Sequence, residues 1–253
     1  MRERRYALKV LMMSVLILVV ALVAGAWHWH KNADALWQIV SEKCVPNMAR
    51  TGNPAPCDRV DTAQGFVILK DRNGPLQYLL IPIARITGME SPALLQPDTP
   101  NLFAEAWQAR GRLAEKRGAP IADSALSLAI NSQYGRTQNQ LHIHLSCLRP
   151  DVRRQLDSLN PQLSARWQPV TLLQHRYLIR TLTEAELNDE SVFLRLANEI
   201  PAARAAMGEY GLAMTTLPDG RLVLLAVARS WLALNRGSAE ELQDHQCQIL
   251  QQP

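Results

Sequence analysis

An uninterrupted apolar stretch, residues 10–27, constrains the fold of this chain more than any other feature of its sequence. Its residues, VLMMSVLILVVALVAGAW, include no charged side chain, and only Ser14 and Gly25 interrupt the aliphatic pattern. A helix needs about 20 apolar residues to cross a bilayer. Because several arginines precede the stretch, the positive-inside rule places residue 1 in the cytoplasm. The sequence therefore predicts that residues 1–31 form a cytoplasmic stub and one transmembrane helix.

A cleavable signal peptide is the alternative interpretation of the same stretch. Residues 24–26, Ala-Gly-Ala, fit the small-x-small pattern of a cleavage site. The stretch is longer than the ~7–15 apolar residues of a usual signal peptide, which favours an anchor that is not cleaved. Both interpretations export residues 32–253, which are enough for one domain of ordinary size.

The net charge of +4 is a property of the N-terminal segment. Residues 1–31 hold five basic residues and one acidic residue, and the remaining 22 basic and 22 acidic residues balance. A domain without a basic excess lacks the electrostatic attraction that drives binding to a phosphate backbone. The charge distribution therefore excludes nucleic acid as the main partner.

Four cysteines agree with export, because an even number in an oxidising compartment indicates two disulfides. Cys44 and Cys57 flank a segment rich in Pro, Gly and Asn, whereas Cys147 and Cys247 lie far apart. Three pairings are possible, four buried free thiols are an alternative, and the spacing matches no zinc signature. We favour a short clip between Cys44 and Cys57 and a second bond, Cys147–Cys247, that ties the chain end to the core.

The periodicity of residues 32–253 predicts an α+β fold with antiparallel hairpins. The expected strands are residues 66–69, 76–81, 124–131, 141–147, 211–216 and 222–228, with an Asn73-Gly74 turn in the first hairpin. The expected helices are 32–44, a helix from 98 to Gly118, 183–208, and a last one opened by a capping box at 238–241.

Residues 65–82 and 211–228 show a weak internal sequence similarity and align without gaps. It predicts a possible second hairpin repeat in residues 209–253. The second copy has no counterpart of the histidine-bearing strand, so one active site is expected.

Residues 131–147, NSQYGRTQNQLHIHLSC, hold the candidate chemistry. Because side chains alternate along a strand, His142, His144 and Ser146 are expected to share one face and the apolar residues the other. Two neighbouring imidazoles can bind a metal, make structural hydrogen bonds, or attack phosphorus. Neutral imidazole is a competent nucleophile near pH 7 because its pKa is ~6.5. Nearby amides, Asn131, Gln138 and Asn139, are of the right type to donate to phosphoryl oxygens.

This segment resembles the histidine-triad (HIT) superfamily, whose pattern is an Asn, a Gly-rich turn, a Gln and three alternating histidines on a strand. In that frame Asn131 and Gln138 occupy the Asn and Gln positions, His142 is the first histidine and His144 is the nucleophile. Ser146 stands where the third histidine would be, which is a departure at the residue that would protonate the leaving group.

A second frame of the same resemblance takes Gln140, His142 and His144 as the triad and makes His142 the nucleophile. This frame misaligns the Asn and Gln positions of the pattern, so the first frame is preferred.

A wider resemblance covers most of the chain. The segments that carry it are KDRNGPLQYLLIP (70–82), ITGMESPALL (86–95), residues 130–153, YGLAM (210–214) and residues 238–250. These look like the bacterial CDP-diacylglycerol pyrophosphatases. The resemblance implies a HIT-like antiparallel sheet with packed helices, anchored in the Gram-negative inner membrane with a periplasmic catalytic domain. It also implies hydrolysis of CDP-diacylglycerol, drawn from membrane lipid, to CMP and phosphatidate, with no cofactor or metal and no obligate protein partner.

The resemblance implies that His144 attacks the cytidine-side phosphorus, with His142, Ser146, Gln138 and Asn131 positioning the reacting groups. Asn139 and Lys70 are expected to bind phosphate, with further cationic candidates at Arg85, Arg136 and Arg149. Two other classes stay open: a metal-dependent phosphohydrolase that uses the histidine pair as ligands, and a non-catalytic module that binds a nucleotide or lipid at a membrane.

Overall fold

The structure, a computed structural model, describes residues 2–251, including the side chains of all but residues 2–5, 7–8, 24 and 26–32. Its first helix, α1, runs from Arg2–Ala33 and includes the apolar stretch together with the charged residues before it and the polar residues after it. Among the described residues, no helix is both long enough and apolar enough to span a bilayer. The predicted transmembrane helix, and with it the predicted single-pass location in an inner membrane, is therefore wrong.

Ten strands form one antiparallel sheet within the described residues, which confirms the α+β class. In sheet order they run β1-β2-β3-β5-β4-β8-β9-β7-β6, and β10 pairs with β5. Their bounds are β1 Arg59–Asp61, β2 Phe66–Lys70, β3 Tyr78–Pro82, β4 Leu126–Ile130, β5 Ile143–Leu148, β6 Gln168–Leu172, β7 His175–Leu182, β8 Tyr210–Thr216, β9 Leu222–Ala228 and β10 Gln243–Asp244.

Helices cover both faces of the sheet. They are α2 Ala35–Gln38, a π-helical turn Ile39–Cys44, α3 Val45–Thr51, α4 Leu102–Gln108, α5 Gly111–Arg117, α6 Pro150–Leu159, α7 Glu184–Asp189, α8 Val192–Glu199 and α9 Pro201–Ala205. The larger core packs α4, α5 and α8 against one face, where Phe103 and Phe193 meet edge to face. Leu145 of β5 points into this core, whereas its neighbour His144 points to the opposite face.

The two halves of the sheet have the same strand order from edge to centre, β2-β3-β5-β4 and β6-β7-β9-β8, and they meet where β4 pairs with β8. In this arrangement the hairpin at 168–182 corresponds to the one at 66–82. The sequence similarity instead related residues 65–82 to residues 211–228. Strand β9 takes the place of β5 and has no histidine. Across the strands, His144 pairs with Ala129, Ala129 with Ala213, and Ala213 with Leu225. The residue of β9 in line with His144 is therefore the apolar Leu225, which packs with α6.

Several predicted element boundaries differ from the structure. The β6–β7 hairpin is absent from the prediction, because its strands alternate polar and apolar residues too irregularly to stand out. Helix α4 begins later than expected, because Asn101 rather than Asp98 accepts the capping hydrogen bond, from the N–H of Ala104. The predicted final helix is only a short 3-10 turn, and Ser238 makes no capping hydrogen bond there.

Both predicted disulfides are confirmed. Cys44–Cys57 closes a separation of 13 residues, and the intervening segment is partly helical because α3 begins directly after Cys44. Cys147–Cys247 spans 100 residues and joins β5 to the C-terminal segment. This second bond holds residues 238–250, named the C-terminal segment below, against the strand that carries His144.

Candidate active site

His142 immediately precedes β5 and His144 is its second residue, and His144 lies on the face opposite the larger core. His144 is flanked by Leu79 of β3 and Ala129 of β4, and it is 6% exposed. Its ring packs edge-on against His142, with 4.8 Å between the ring centroids. The Nδ1–H of His142 donates to the carbonyl of Gln140 at 2.7 Å, which leaves Nε2 of His142 as an acceptor. Each imidazole is therefore held in one orientation.

Both histidines line a cavity of about 530 Å³. That volume is in the range of pockets that enclose a small ligand. One wall is apolar and comes from the N-terminal segment and the sheet: Ala35, Leu36, Ile39, Pro56, Leu69 and Leu79. The rest is polar or small: Lys70, Asp71, Arg72, Asn73, Asn131, Gly135, Thr137, Gln138, His142, His144 and Glu240. The cavity therefore offers an apolar surface beside a polar end that contains the imidazoles.

The two ring nitrogens of His144 have different neighbours. Nδ1 lies 3.1 Å from Nε2 of Gln77, and the same amide nitrogen donates to Asp71 at 2.7 Å. Nε2 lies 3.3 Å from a carboxylate oxygen of Glu240. In this arrangement Gln77 donates to Nδ1, so the ring proton is placed on Nε2, towards Glu240.

The C-terminal segment brings Glu240 to the site. One carboxylate oxygen of Glu240 lies 3.1 Å from Nε2 of His245, and the other accepts a hydrogen bond from the amide of Asn131 at 2.8 Å. The amide oxygen of Asn131 in turn accepts from the hydroxyl of Ser238 and from the backbone N–H of Glu240. Asn131 therefore fixes the position of the carboxylate.

A close backbone approach also holds the C-terminal segment in place. Gly74, in the β2–β3 turn, has φ +67°, and a Cβ there would lie 2.3 Å from the carbonyl oxygen of His245. A glycine is required for both reasons. The predicted Asn73-Gly74 turn therefore also contacts the backbone of His245 and helps to position it.

Burial dominates the electrostatics of the histidine pair. It lowers the pKa of His142, and it lowers the pKa of His144 to about 4 against the opposing effect of the Glu240 carboxylate. Burial alone would raise the pKa of Glu240, but its pairing with His245 and its other polar neighbours outweigh burial and lower that pKa to about 2. The same pairing raises the pKa of His245. At neutral pH the site therefore holds a neutral His144 beside an ionised Glu240.

Comparison with known proteins gives the site a chemical context. The sequence model of the CDP-diacylglycerol pyrophosphatase family matches residues 31–251. The chain belongs to this family. It is a hydrolase that acts on the diphosphate of CDP-diacylglycerol. The cavity with its imidazole pair is where we look for that chemistry in this family member.

The neutral imidazole of His144 is the reactive group in the mechanism that we propose below, so the pH dependence of hydrolysis is expected to report its pKa. The ratio kcat/KM should stay level between pH 8 and about 5, and should fall tenfold per unit below about 4 as the imidazole becomes protonated. Glu240 stays ionised over that range. Release of CMP would be measured at each pH, with circular dichroism as the control for folding. An inflection near the ordinary value of ~6.5 would contradict the assignment.

Some of the site residues predicted from the sequence line the cavity, and others lie outside it. Asn131, Gln138 and Lys70 line the cavity with the histidines. The Oε1 of Gln138 accepts a hydrogen bond from the N–H of Leu36 at 3.1 Å, so Gln138 links the cavity to the N-terminal segment.

Two predicted residues lie outside the cavity lining. Asn139 accepts a hydrogen bond from Arg136, which forms a bidentate pair with Glu90. Ser146 lies further along β5, opposite Ser127, and its buried hydroxyl makes no hydrogen bond within residues 2–251.

Of the four basic residues predicted to bind phosphate, one lines the cavity and three do not. Lys70 faces the cavity and donates to the carbonyls of Asp71 and Gly74, and burial lowers its pKa. The other three lie outside the cavity lining and form ion pairs: Arg85 with Asp34, Arg136 with Glu90, and Arg149 with Asp151. Arg72, which sequence reasoning missed, lines the cavity and makes no ion pair with another described residue.

Sequence reasoning also missed the groups that surround His144, namely Gln77, Glu240 and His245. Gln77 has a usable signal, since it follows the Asn-Gly turn by three residues and immediately precedes β3, the strand next to β5. Glu240 and His245 have none nearby, because about a hundred residues separate them from His144. Within the described residues, no group of three or more His, Cys, Asp or Glu side chains is arranged to hold a metal ion.

Proposed function

We propose that this CDP-diacylglycerol pyrophosphatase works through a covalent cytidylyl-histidine on His144. The observation that carries the proposal is a buried imidazole, neutral at pH 7, at the polar end of the cavity and next to an ionised carboxylate. We further propose that residues 32–253 act as one catalytic domain of the HIT-like type and that its substrate is presented from membrane lipid.

In the first step, Nε2 of His144 attacks the cytidine-side phosphorus. A bond forms between Nε2 and phosphorus, and the bond from phosphorus to the bridging oxygen breaks. Phosphatidate leaves with that oxygen. The ring becomes a cationic N-phosphorylated imidazole, which the carboxylate of Glu240 stabilises because it stays ionised and lies 3.3 Å away.

Attack by Nε2 requires the tautomer of His144 that has its proton on Nδ1. Oε1 of Gln77 can accept a hydrogen bond from that Nδ1–H, because it is buried and has no hydrogen-bond partner among the described residues. The amide must turn over, and it then gives up its hydrogen bond to Asp71. Asp71 keeps a second hydrogen bond, from the backbone N–H of Asn73. Gln77 and Asp71 therefore set the balance between the two tautomers.

The diphosphate needs positive charge and donors around it. Lys70 and Arg72 are the two cations of the cavity lining, and Arg72 is exposed at the turn between β2 and β3. We propose both as phosphate partners, with Gln138, which also lines the cavity, as a donor. Asn131 acts by holding Glu240 rather than by binding phosphate, and the position of Asn139 supports only an indirect role through Arg136. A catalytic role for Ser146 has the least support, because its hydroxyl lies away from the cavity lining.

In the second step, water attacks the phosphorus of the intermediate. The nitrogen–phosphorus bond breaks, and His144 leaves as neutral imidazole that keeps its proton on Nδ1. One proton of the attacking water stays with the new phosphate oxygen, and the second passes to solvent. The product is CMP. The low pKa of Glu240 makes its carboxylate an electrostatic and orienting group in this step rather than the final proton carrier.

An acid-sensitive label on the protein is the test of this proposal. Purified protein is mixed with CDP-diacylglycerol labelled in the cytidine-side phosphate, quenched within milliseconds, and digested for peptide mapping, with EDTA throughout. We expect the label on the peptide that contains His144, and none when the other phosphate is labelled. Because His142 and His144 fall in the same peptide, the variants H144A and H142A assign the label, and label that persists in H144A but is lost in H142A would favour the second frame. Loss of CMP release in EDTA would favour metal-dependent hydrolysis, and binding without any CMP would favour a non-catalytic module.

A further inference from the structure

The loop after β9 exposes apolar side chains that folded proteins normally bury. Outside helix α1, four large apolar residues of the described part of the chain are exposed, and three of them are in this loop. Trp231 is 74% exposed, Leu232 is 102% exposed and Leu234 is 89% exposed. Residues 230–236 are named the apolar loop below.

The apolar loop is held in one shape rather than loosely attached. Ser230 and Asn235 exchange backbone hydrogen bonds of 2.8 and 2.9 Å, and the N–H of Leu234 donates to the carbonyl of Trp231. Asn235 is buried at the base, where its side chain accepts from the N–H of Gly237. The tip therefore presents its three apolar side chains outwards from a fixed base.

Cationic groups flank the tip. Arg229 lies over the ring of Trp231, with 4.9 Å between the guanidinium carbon and the ring centroid, and its charge is paired with Glu209 at 2.9 Å. Arg236 is exposed and takes part in no ion pair among residues 2–251. Tryptophan next to arginine, with leucines beyond, is the composition of segments that settle at the headgroup level of a bilayer.

The base of the apolar loop is continuous with the active site. The N–H of Ser132 donates to the carbonyl of Gly237 at 2.9 Å, and Ser238 donates to Asn131 at 2.9 Å. Gly135, in the cavity wall, packs against Ser238, so that a Cβ there would lie 3.2 Å from Ser238. Only residues 237–239 separate the loop from Glu240, which lines the cavity and marks its rim on this side.

We propose that the apolar loop enters the interface of a lipid bilayer and brings the cavity rim to the headgroup of CDP-diacylglycerol. The substrate has two acyl chains that stay in the bilayer while its diphosphate reaches the imidazoles. A rigid apolar tip beside the rim, flanked by arginines, matches such a surface in polarity and charge. The inference rests on the activity of the family and not on which histidine is the nucleophile.

A site-specific fluorescent label measures insertion directly. All four cysteines of the chain are in disulfides, so one introduced cysteine can be labelled selectively with an environment-sensitive dye. The test variant is L232C. The matched control is D219C, in the exposed β8–β9 turn at the other end of the same hairpin. With vesicles of phosphatidylcholine and phosphatidylglycerol, we expect at least about a twofold rise in intensity and a blue shift at position 232 only.

Equal responses at positions 232 and 219, or none at 232, would overturn the proposal. A response at 232 without vesicles that grows with protein concentration would show a protein interface instead. The inactive variant H144A should still insert, which separates this proposal from the one on the nucleophile.

A kinetic experiment tests whether insertion matters for turnover. The triple variant W231S/L232S/L234S should lose about tenfold or more in kcat/KM on vesicles that contain CDP-diacylglycerol. It should match the wild type on a short-chain CDP-diacylglycerol kept below its critical micelle concentration. The control variant is M48S, which removes an exposed apolar side chain elsewhere. Equal losses on both substrates, or no loss on either, would contradict the proposal.

Discussion

Replacing His144 with alanine is expected to lower kcat for CDP-diacylglycerol hydrolysis by about a thousandfold or more. Loss of the nucleophile removes the covalent route, and what remains is slow attack by water on a bound diphosphate. CMP release under saturating substrate gives kcat. The substrate Kd should change much less, because phosphate binding rests on Lys70, Arg72 and Gln138 in our proposal.

Two other histidines serve as controls for this prediction. H142A should reduce kcat less, because it removes the edge-on neighbour of His144 and not the attacking nitrogen. H175A should stay near the wild type, because His175 bonds to Glu241 outside the cavity lining. A variant H144A that keeps more than a tenth of wild-type kcat, while folded, would refute the mechanism. A larger loss in H142A than in H144A would support the second frame.

The second frame has a further difficulty in the structure. It needs Gln140 as a member of the triad, yet this side chain is fully buried and donates to the carbonyls of Pro82 and Ala84. Gln140 thus ties β5 to the end of β3 and does not line the cavity. His142 bonds to the carbonyl of the same residue. These contacts favour the first frame, and the comparison of H144A with H142A tests that choice.

The histidine pair could be predicted from the sequence because its signal is local. Strand alternation alone places His142 and His144 on one face and Leu145 in the core. The first hairpin could also be predicted, since Asn-Gly between two apolar runs is a local signal.

Long-range contacts explain what could not be predicted. Glu240 reaches His144 only because the chain returns across the sheet, and its sequence context resembles a capping box. The predicted membrane helix rested on a local count of apolar residues, and among the described residues no helix is long and apolar enough to span a bilayer.

Removing the Cys147–Cys247 disulfide should reduce both stability and activity. In the chain-entropy model, a bond that closes about 100 residues contributes roughly 4.7 kcal/mol to the free energy of unfolding. The double variant C147A/C247A also frees the end of the segment that carries Glu240 and His245. We expect kcat to fall by about ten- to a hundredfold, measured at a temperature where the variant is still folded. β10 pairing and the contact between Gly74 and His245 should keep the segment attached.

The other disulfide is a matched control, because its cysteines are also buried but pack with Leu36 and Leu79 rather than joining the C-terminal segment. C44A/C57A should cost about 3 kcal/mol of stability and leave kcat within about threefold of the wild type. Equal losses of kcat in the two double variants would mean that general loosening, and not the position of the C-terminal segment, sets the rate.

Coupling to Glu240 decides how the Cys147–Cys247 bond affects the rate. If the disulfide acts by holding the carboxylate beside Nε2 of His144, then E240Q should lower kcat strongly in the wild type and little further in C147A/C247A. Two changes that act through one contact are not additive, whereas independent changes multiply their rate effects. A fully multiplicative result would place the contribution of the disulfide elsewhere. The expected result would make the bond from β5 to the C-terminal segment part of the catalytic geometry as well as of the fold.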